Sequence, residues 1–327
     1  MFIDWLVLLL SLVVLGVSAH FLVHSSVRIA RLFGLSELFI GLTLVSFGTS
    51  APEIAVSVMA ALEGKGALSV GNVIGSNIFN LGFILGLVAL VAVQKIHRKV
   101  VYRDGVVLLF STFLVLSVVW DYQVSFWEGV MLLGLLATYV TSLFINKNLP
   151  PEEMKEFQEE EMMPHLKRRQ QWMHLLVFFV SLYVLVLASD FTVGSATNIA
   201  LVWGISEWAI GVTIVAAGTS LPEVATSVIA TIKRRFDLSI GNVIGSDIFN
   251  ALGIIGISAV VAPLTLQSKV DIMGMADFQF SQMLLVGTLL LTLLFMRTGW
   301  RLSRMEGLCL FLIAVSRMGF EIWMGSA

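Results

Sequence analysis

The sequence predicts an all-α polytopic membrane protein, ten transmembrane helices arranged as two inverted five-helix repeats. Three observations predict it. Hydrophobic residues make up 57% of the chain and charged ones 13%, more apolar surface than a water-soluble core of 327 residues can hide. Apolar runs of about 20 residues, the length that spans a hydrocarbon core as helix, recur along the chain. Residues 41–80 return at 211–250 without a gap, with 23 of 40 positions identical.

The proposed spans are 3–27, 36–62, 67–93, 103–120, 124–146, 172–200, 206–232, 238–262, 276–297 and 305–324. Long runs without strict alternation argue for a helical bundle and against a β-barrel. The first run lacks a basic leader, carries Asp4 and stays apolar too long for the core of a signal peptide, so it reads as a span. The last run holds the single Cys309. One cysteine allows no intrachain disulfide, and its place in an apolar helix reads as a buried, inert thiol.

Charges sort by side. Alternate connections place 17 of the 20 Lys and Arg together: those at 28–31, 95–103, 147–169, 233–235 and 297–304. Lys65 and Lys269 fall on the other side, and Arg317 lies inside the last span. The positive-inside preference makes the crowded side cytoplasmic and puts both termini outside, periplasmic for a plasma (inner) membrane. Trp5, Trp120, Trp127, Trp172, Trp203, Trp208 and Trp300 fall near span ends, as an aromatic belt requires.

The repeat divides the chain into 1–146, holding the motif 41–80, a cytoplasmic linker 147–170, and 171–327, holding the motif 211–250. Five spans per half is an odd number, so the second half enters the membrane upside down. Inverted repeats of this kind build secondary transporters, with the binding site near the midplane. The linker carries Glu152, Glu153, Glu156, Glu159, Glu160 and Glu161. A charge run reads first as a solvated linker, with a divalent regulator as the alternative.

The motif places a carboxylate where an apolar run should have none. GTSAPE at 48–53 ends in Glu53 and GTSLPE at 218–223 ends in Glu223. Pro52 and Pro222 lack an N–H and crowd the preceding turn, which releases the carbonyls of Gly48 and Gly218. Each motif thus offers backbone oxygens, hydroxyls and one carboxylate, a ligand set for a hard cation such as Ca²⁺. In the third span Ser69, Asn72, Ser76 and Asn80 stack on one helical stripe, and their mates are Ser239, Asn242, Ser246 and Asn250. Gly71 with Gly75, and Gly241 with Gly245, form small-residue tracks for close helix approach. Ser, Thr and Asn also serve as interhelical glue, so the weight rests on the acids. An ionised acid at the bilayer centre costs roughly 2.5 kcal/mol or more. No basic residue in the neighbouring spans can pair with either glutamate, which leaves a cation as the partner.

Taken together, GTSAPE with GNVIGSNIFN and GTSLPE with GNVIGSDIFN resemble the α-repeats of the sodium/calcium exchangers, within the Ca²⁺/cation antiporter superfamily, in a compact bacterial form. The resemblance covers essentially the whole chain. It implies an ion site on spans two, three, seven and eight, and alternating access driven by sliding of spans one and six. Carried over by position, Glu53 and Glu223 are the shared Ca²⁺ and Na⁺ carboxylates. Thr49 and Thr219 supply carbonyls, Ser50 and Ser220 hydroxyls, Ser76 and Ser246 further Na⁺ ligands, and Asn80 and Asn250 line the middle. The carbonyls of Ser46 and Ala216 serve outer sodium positions. Some members carry an acid where Asn250 stands, and its absence argues weakly against K⁺ co-transport. Asp247 breaks the symmetry with Asn77 one residue off the stripe, either as a proton-titrating or water-linked group or as a capped structural acid.

Two carboxylates in an empty site are costly in a membrane, so crossing without cargo is disfavoured and the two cargoes compete for one site. The expectation is an Na⁺/Ca²⁺ antiporter, electrogenic, extruding Ca²⁺, with no cofactor, no nucleic acid, no obligate protein partner and the bilayer as its surroundings. A proton/Ca²⁺ antiporter on the same scaffold is the nearest rival, and the Ser76 and Ser246 hydroxyls favour sodium. An intramembrane protease is disfavoured, since the chain lacks a GxGD acid pair and neither motif holds a His to serve Ser50 or Ser220. A passive channel would lack saturable counterflow.

Overall fold

The computed structural model describes residues 2–145, 167–203, 216–266 and 272–326. Within them the chain forms α1 (Phe2–Phe33), α2 (Glu37–Thr49), α3 (Ala51–Leu62), α4 (Gly66–Val91), α5 (Val100–Asp121), α6 (Phe126–Ile145) and α7 (Lys167–Val202). Then follow α8 (Ala216–Thr219), α9 (Leu221–Ile232), α10 (Phe236–Val261), α11 (Ile272–Arg297) and α12 (Arg304–Ser326). Among the described residues, seven helices are long and apolar enough to cross a membrane, or eight if α2 and α3, bent by 48° at their break, count as one span. The first half of the expected seventh span (206–215, with Trp208), Lys269 and the acidic linker cluster lie outside the described residues.

Local chemistry sets the helix ends. The first helix runs six residues beyond the expected end at 27, because the stop is Gly34 at φ 65, with Leu35 N–H bonded to Ala30 O at 2.8 Å. Two capping boxes start α6 and α12: Ser125 with Glu128, and Ser303 with Glu306, the serine N–H and hydroxyl both donating to the glutamate.

Four short strands join helix connections, an addition to the all-helical expectation: Gln94–Lys95 (β1) pairs Arg301–Leu302 (β4), and Gln123–Val124 (β2) pairs Leu264–Thr265 (β3). The two pairings are images of each other. Exchanging the halves carries Gln94↔Leu302 onto Leu264↔Val124. The same exchange carries the contact of Gly86 with Gly307 onto that of Gly256 with Gly129, where backbones meet so closely that an added Cβ would strike a carbonyl. Along α1 and α7 the pairs Asp4–Asn198, Ser11–Thr192 and His24–His174 run in opposite senses, so these two helices are antiparallel neighbours.

The centre belongs to α4 and α10, whose apolar windows are 72% and 89% buried, against 22% for α6 at the periphery. The track Gly241 and Gly245 packs on α2, with Gly241 against Gly41 and Gly245 against Leu42 and Ser46. Cys309 is a correction: it is exposed on α12 beside exposed Leu308 and Leu312, because a helix in a bilayer can turn a weakly polar thiol to lipid.

Candidate functional site

The break between α2 and α3 falls at Ser50 (φ −79, ψ 11), directly before the turn that holds Pro52. Ser220 (φ −90, ψ 8) repeats it between α8 and α9, before Pro222. Both prolines lie in the first helical turn, where a missing N–H costs nothing. Glu53 and Glu223 occupy those same first turns, so each carboxylate sits at the positive end of a helix. They are 1% and 0% exposed.

The hydrogen bonds are crossed between the halves. The Ser220 hydroxyl donates to Glu53 Oε1 at 2.8 Å, and the Ser50 hydroxyl donates to Glu223 Oε1 at 3.1 Å. Ser246 adds a long bond to Glu223 Oε1 at 3.4 Å. Ser76 is buried at the equivalent position of α4, and Thr219 is half-buried beside Ser220.

Below the glutamates a second crossed cluster joins α4 to α10. Asn80 Nδ2 donates to Asp247 Oδ1 at 2.9 Å, Asn77 Nδ2 to the Asp247 carbonyl at 3.1 Å, and Asn250 Nδ2 to Asn77 Oδ1 at 3.0 Å. Asn77 and Asp247, set off the stripe by their spacing, are therefore hubs between the repeats. A π-helical turn begins at Asn80 (Asn80–Ile84) and another at Phe249 (Phe249–Ile254), so the regular 3.6-residue stripe ends at the site.

The outer parts of the stripes do not converge there. Asn72 Nδ2 donates to Ser57 Oγ at 2.9 Å and Asn242 Nδ2 to Ser227 Oγ at 3.0 Å, while Ser57 and Ser239 hydroxyls bond the carbonyls of Ser69 and Ser227. These residues tie α3 to α4 and α9 to α10 within each half. Asn242 also accepts from the Thr49 hydroxyl at 3.2 Å, which links the two halves. Sequence reasoning missed Ser57 and Ser227, although they are identical residues at the repeat spacing.

Two expected carbonyl ligands are already engaged. The Gly218 carbonyl, freed by Pro222, accepts the Ser189 hydroxyl of α7 at 2.9 Å. The Ser46 carbonyl accepts Ser50 N–H at 3.0 Å and the Thr49 hydroxyl at 3.3 Å. Ala216 begins α8, and its side chain lies outside the described residues.

What remains is an excess of acceptors. One buried oxygen each of Glu53, Glu223, Asn80, Asn250 and Asp247 has no hydrogen-bond partner among the described residues. Buried oxygens without donors are costly, and a hard cation satisfies several at once. No group of three His, Cys, Asp or Glu side chains gathers among the described residues. The cradle is a carboxylate pair with amide and hydroxyl oxygens, unlike the nitrogen and sulfur sets of zinc or copper.

Comparison with known proteins agrees with this chemistry. The family profile described as "Sodium/calcium exchanger protein" matches residues 3–145 and 173–323. A "Putative antiporter CaxA" from Alkalimonas amylolytica is 35% identical over 311 residues, 94% of each chain. "Sodium/calcium exchanger MaX1" of Methanosarcina acetivorans is 31% identical over 96% of this chain and 97% of its own. The solved sodium-calcium exchanger NCX_Mj superposes with a TM-score of 0.81 at 28% identity, covering 97% of this chain and 98% of that one.

Proposed function

The chain belongs to the sodium/calcium exchanger protein family, and from that premise we propose that it exchanges Na⁺ for Ca²⁺ across a membrane by alternating access. The coarser statement is plain: it is a multi-pass membrane antiporter of the cation/Ca²⁺ class. The observation that carries the finer one is the crossed pair, Ser220 on Glu53 and Ser50 on Glu223. Each half contributes a carboxylate and the hydroxyl that reaches the opposite carboxylate, so one cavity serves both cargoes and neither is complete without both halves.

In this reading Glu53 and Glu223 neutralise either Ca²⁺ or several Na⁺, with Thr49, Thr219, Ser50, Ser220, Ser76, Ser246, Asn80 and Asn250 completing the oxygen set. The carbonyls of Ser46 and Ala216 serve outer sodium positions, Ser46 by giving up its present bonds. Asp247 and Asn77 hold α4 and α10 in register beneath the pair. More sodium charge than calcium charge crosses per cycle, which makes exchange electrogenic and drives Ca²⁺ out. The absence of an acid at Asn250 speaks against a K⁺ requirement.

The topology proposed is ten spans in two inverted halves, 1–146 and 171–327, in the plasma (inner) membrane, with termini outside and the 147–170 linker inside. Strand pairing supports it, since β1 with β4 joins two connections expected inside and β2 with β3 two expected outside. The test is Ca²⁺ uptake into Na⁺-loaded proteoliposomes, beside vesicles with no Na⁺ gradient and vesicles with a pH gradient alone. Uptake that vanishes with the Na⁺ gradient supports the reading. Uptake driven by pH and indifferent to Na⁺ replaces sodium by protons on the same scaffold.

A further inference from the structure

The packing around the two broken turns is one-sided. The first helix, α1, packs along α9, whereas its image, α7 along α3, is not formed to a comparable degree. Thr226 on α9 is accordingly fully buried, while its mate Val56 on α3 is 38% exposed. Instead α7 meets both turns, with Leu182 against Gly48 and Val193 against Gly218. On the reading of two inverted halves, the second conformer is reached when each half takes up the other's contacts. A bond formed in both halves is then neutral between the conformers, and a bond formed in one half only favours the conformer that contains it.

Two bonds lack an image. Ser189, 1% exposed and on the same face of α7 as Leu182 and Val193, donates to the Gly218 carbonyl at 2.9 Å. Pro222 has already deprived that carbonyl of its helical donor. The image of this bond needs a donor at position 19, and Ala19 has none. Lys233, at the end of α9, donates to the His20 carbonyl of α1 at 2.8 Å. Its image needs a donor at position 63, where Glu63 is an acceptor, bonded by Lys65 Nζ at 2.7 Å. By contrast Asn242 to Ser227 at 3.0 Å and Asn72 to Ser57 at 2.9 Å are images of each other, and both are formed.

We propose that Ser189 is a positioning residue that biases alternating access. Its hydroxyl latches α7 to the turn carrying Thr219 and Ser220 in the conformer where α1 covers α9, and Ala19 leaves the opposite conformer without that latch. Lys233 acts in the same sense. With the expected topology α9 is the inner half of its span, so the protein rests with its cytoplasmic side closed. The net worth of one hydrogen bond makes the bias about two- to tenfold in population. This rests on the alternating-access reading and is independent of which cation is exchanged.

The test reads conformer populations with no ion gradient. In the full chain carrying Cys309→Ser, because Cys309 is exposed, spin labels are attached through Met59→Cys on α3 and Leu201→Cys on α7, 54% and 42% exposed. Their distance distribution is measured by pulsed electron paramagnetic resonance. The opposite conformer brings α7 along α3 and contributes the shorter distance. Ser189→Ala is expected to raise the ratio of the short-distance population to the long one about two- to tenfold. Ser189→Thr, which keeps the hydroxyl, stays near the starting ratio, and Ala19→Ser raises it by supplying the missing donor. Ser227→Ala removes a bond that both conformers share, so it lowers the thermal midpoint without moving the distribution. Should Ser189→Ala fail to fold, Ala19→Ser decides alone. A distribution unmoved by Ser189→Ala and Ala19→Ser, or moved as far by Ser227→Ala, overturns the latch, and Na⁺-driven Ca²⁺ uptake by the same labelled protein shows separately whether the exchange reading stands.

Discussion

The Ser220 hydroxyl and the Glu53 carboxylate meet at 2.8 Å although 167 residues separate them in the chain. Their images, Ser50 and Glu223, meet at 3.1 Å. A glutamine at 53 keeps the size and an oxygen that can still accept from Ser220, but loses the charge. Glu53→Gln is therefore expected to fold with an unchanged melting profile and to lose Na⁺-dependent Ca²⁺ flux. Undiminished radiocalcium uptake in that variant would sink the ligand assignment.

Ser220→Ala should be milder. It removes one oxygen from the cradle and one charge-assisted bond, worth about 1.5–3 kcal/mol, so half-saturating Ca²⁺ rises about tenfold or more. An unchanged half-saturating Ca²⁺ concentration in Ser220→Ala would remove this hydroxyl from the cation's oxygen set.

Asp247 tests how the site tells a divalent from a monovalent ion. Asparagine keeps an acceptor for Asn80, now 2.9 Å from Asp247 Oδ1, while removing a negative charge. At equal distance a divalent cation loses twice the Coulomb energy of a monovalent one. Asp247→Asn should therefore raise half-saturating Ca²⁺ more than half-saturating Na⁺. Equal shifts, or none, would leave Asp247 a structural acid.

The large elements and the acids were legible because each has a local cause. Apolar runs mark helices, and the repeated GTS-x-PE marks two broken turns with buried carboxylates. The crossing of Ser50 to Glu223 was not legible, since it depends on how the two halves dock. Asn72 shows a second limit: periodicity puts it on the same face as Ser76, but α3 runs beside only the outer part of α4 and captures Asn72 through Ser57. The π-helical turn at Asn80 has no sequence period to betray it, and Ser189 could not be matched to the Gly218 carbonyl without knowing that α7 lies against α8. Cys309 was misread because burial in the membrane and burial in the protein are different things.

Gly41 and Gly241 cross at a point where a Cβ built on Gly41 would stand 2.8 Å from the Leu238 carbonyl and 3.1 Å from Gly241 Cα. Those neighbours are backbone, so neither can rotate away. Gly41→Ala or Gly241→Ala is expected to destabilise by about 1–3 kcal/mol through forced separation of α2 and α10. The same separation pulls Thr49 from Asn242, so Ca²⁺ affinity should fall together with the thermal midpoint. A midpoint unchanged in both variants would show that the crossing is looser than these distances imply.

The turn after α9 holds Arg234 in the left-handed region at φ 59, where the equivalent turn of the first half uses Gly64 at φ 70. Both make the same helix stop: Arg235 N–H bonds Ala230 O at 2.8 Å, as Lys65 N–H bonds Ala60 O at 2.8 Å. A non-glycine residue there costs about 1–2 kcal/mol, and glycine's extra freedom in the unfolded chain returns part of that. Arg234→Gly should therefore stabilise by about 0.5–1 kcal/mol, and Gly64→Arg should destabilise by a similar amount or more. The Arg234 side chain is exposed and is not among the groups of the ion site, so flux should be unchanged while the midpoint rises. A lower midpoint in Arg234→Gly would mean that this side chain makes a surface contact stronger than the strain it imposes, which the symmetry of the two turns gives no reason to expect.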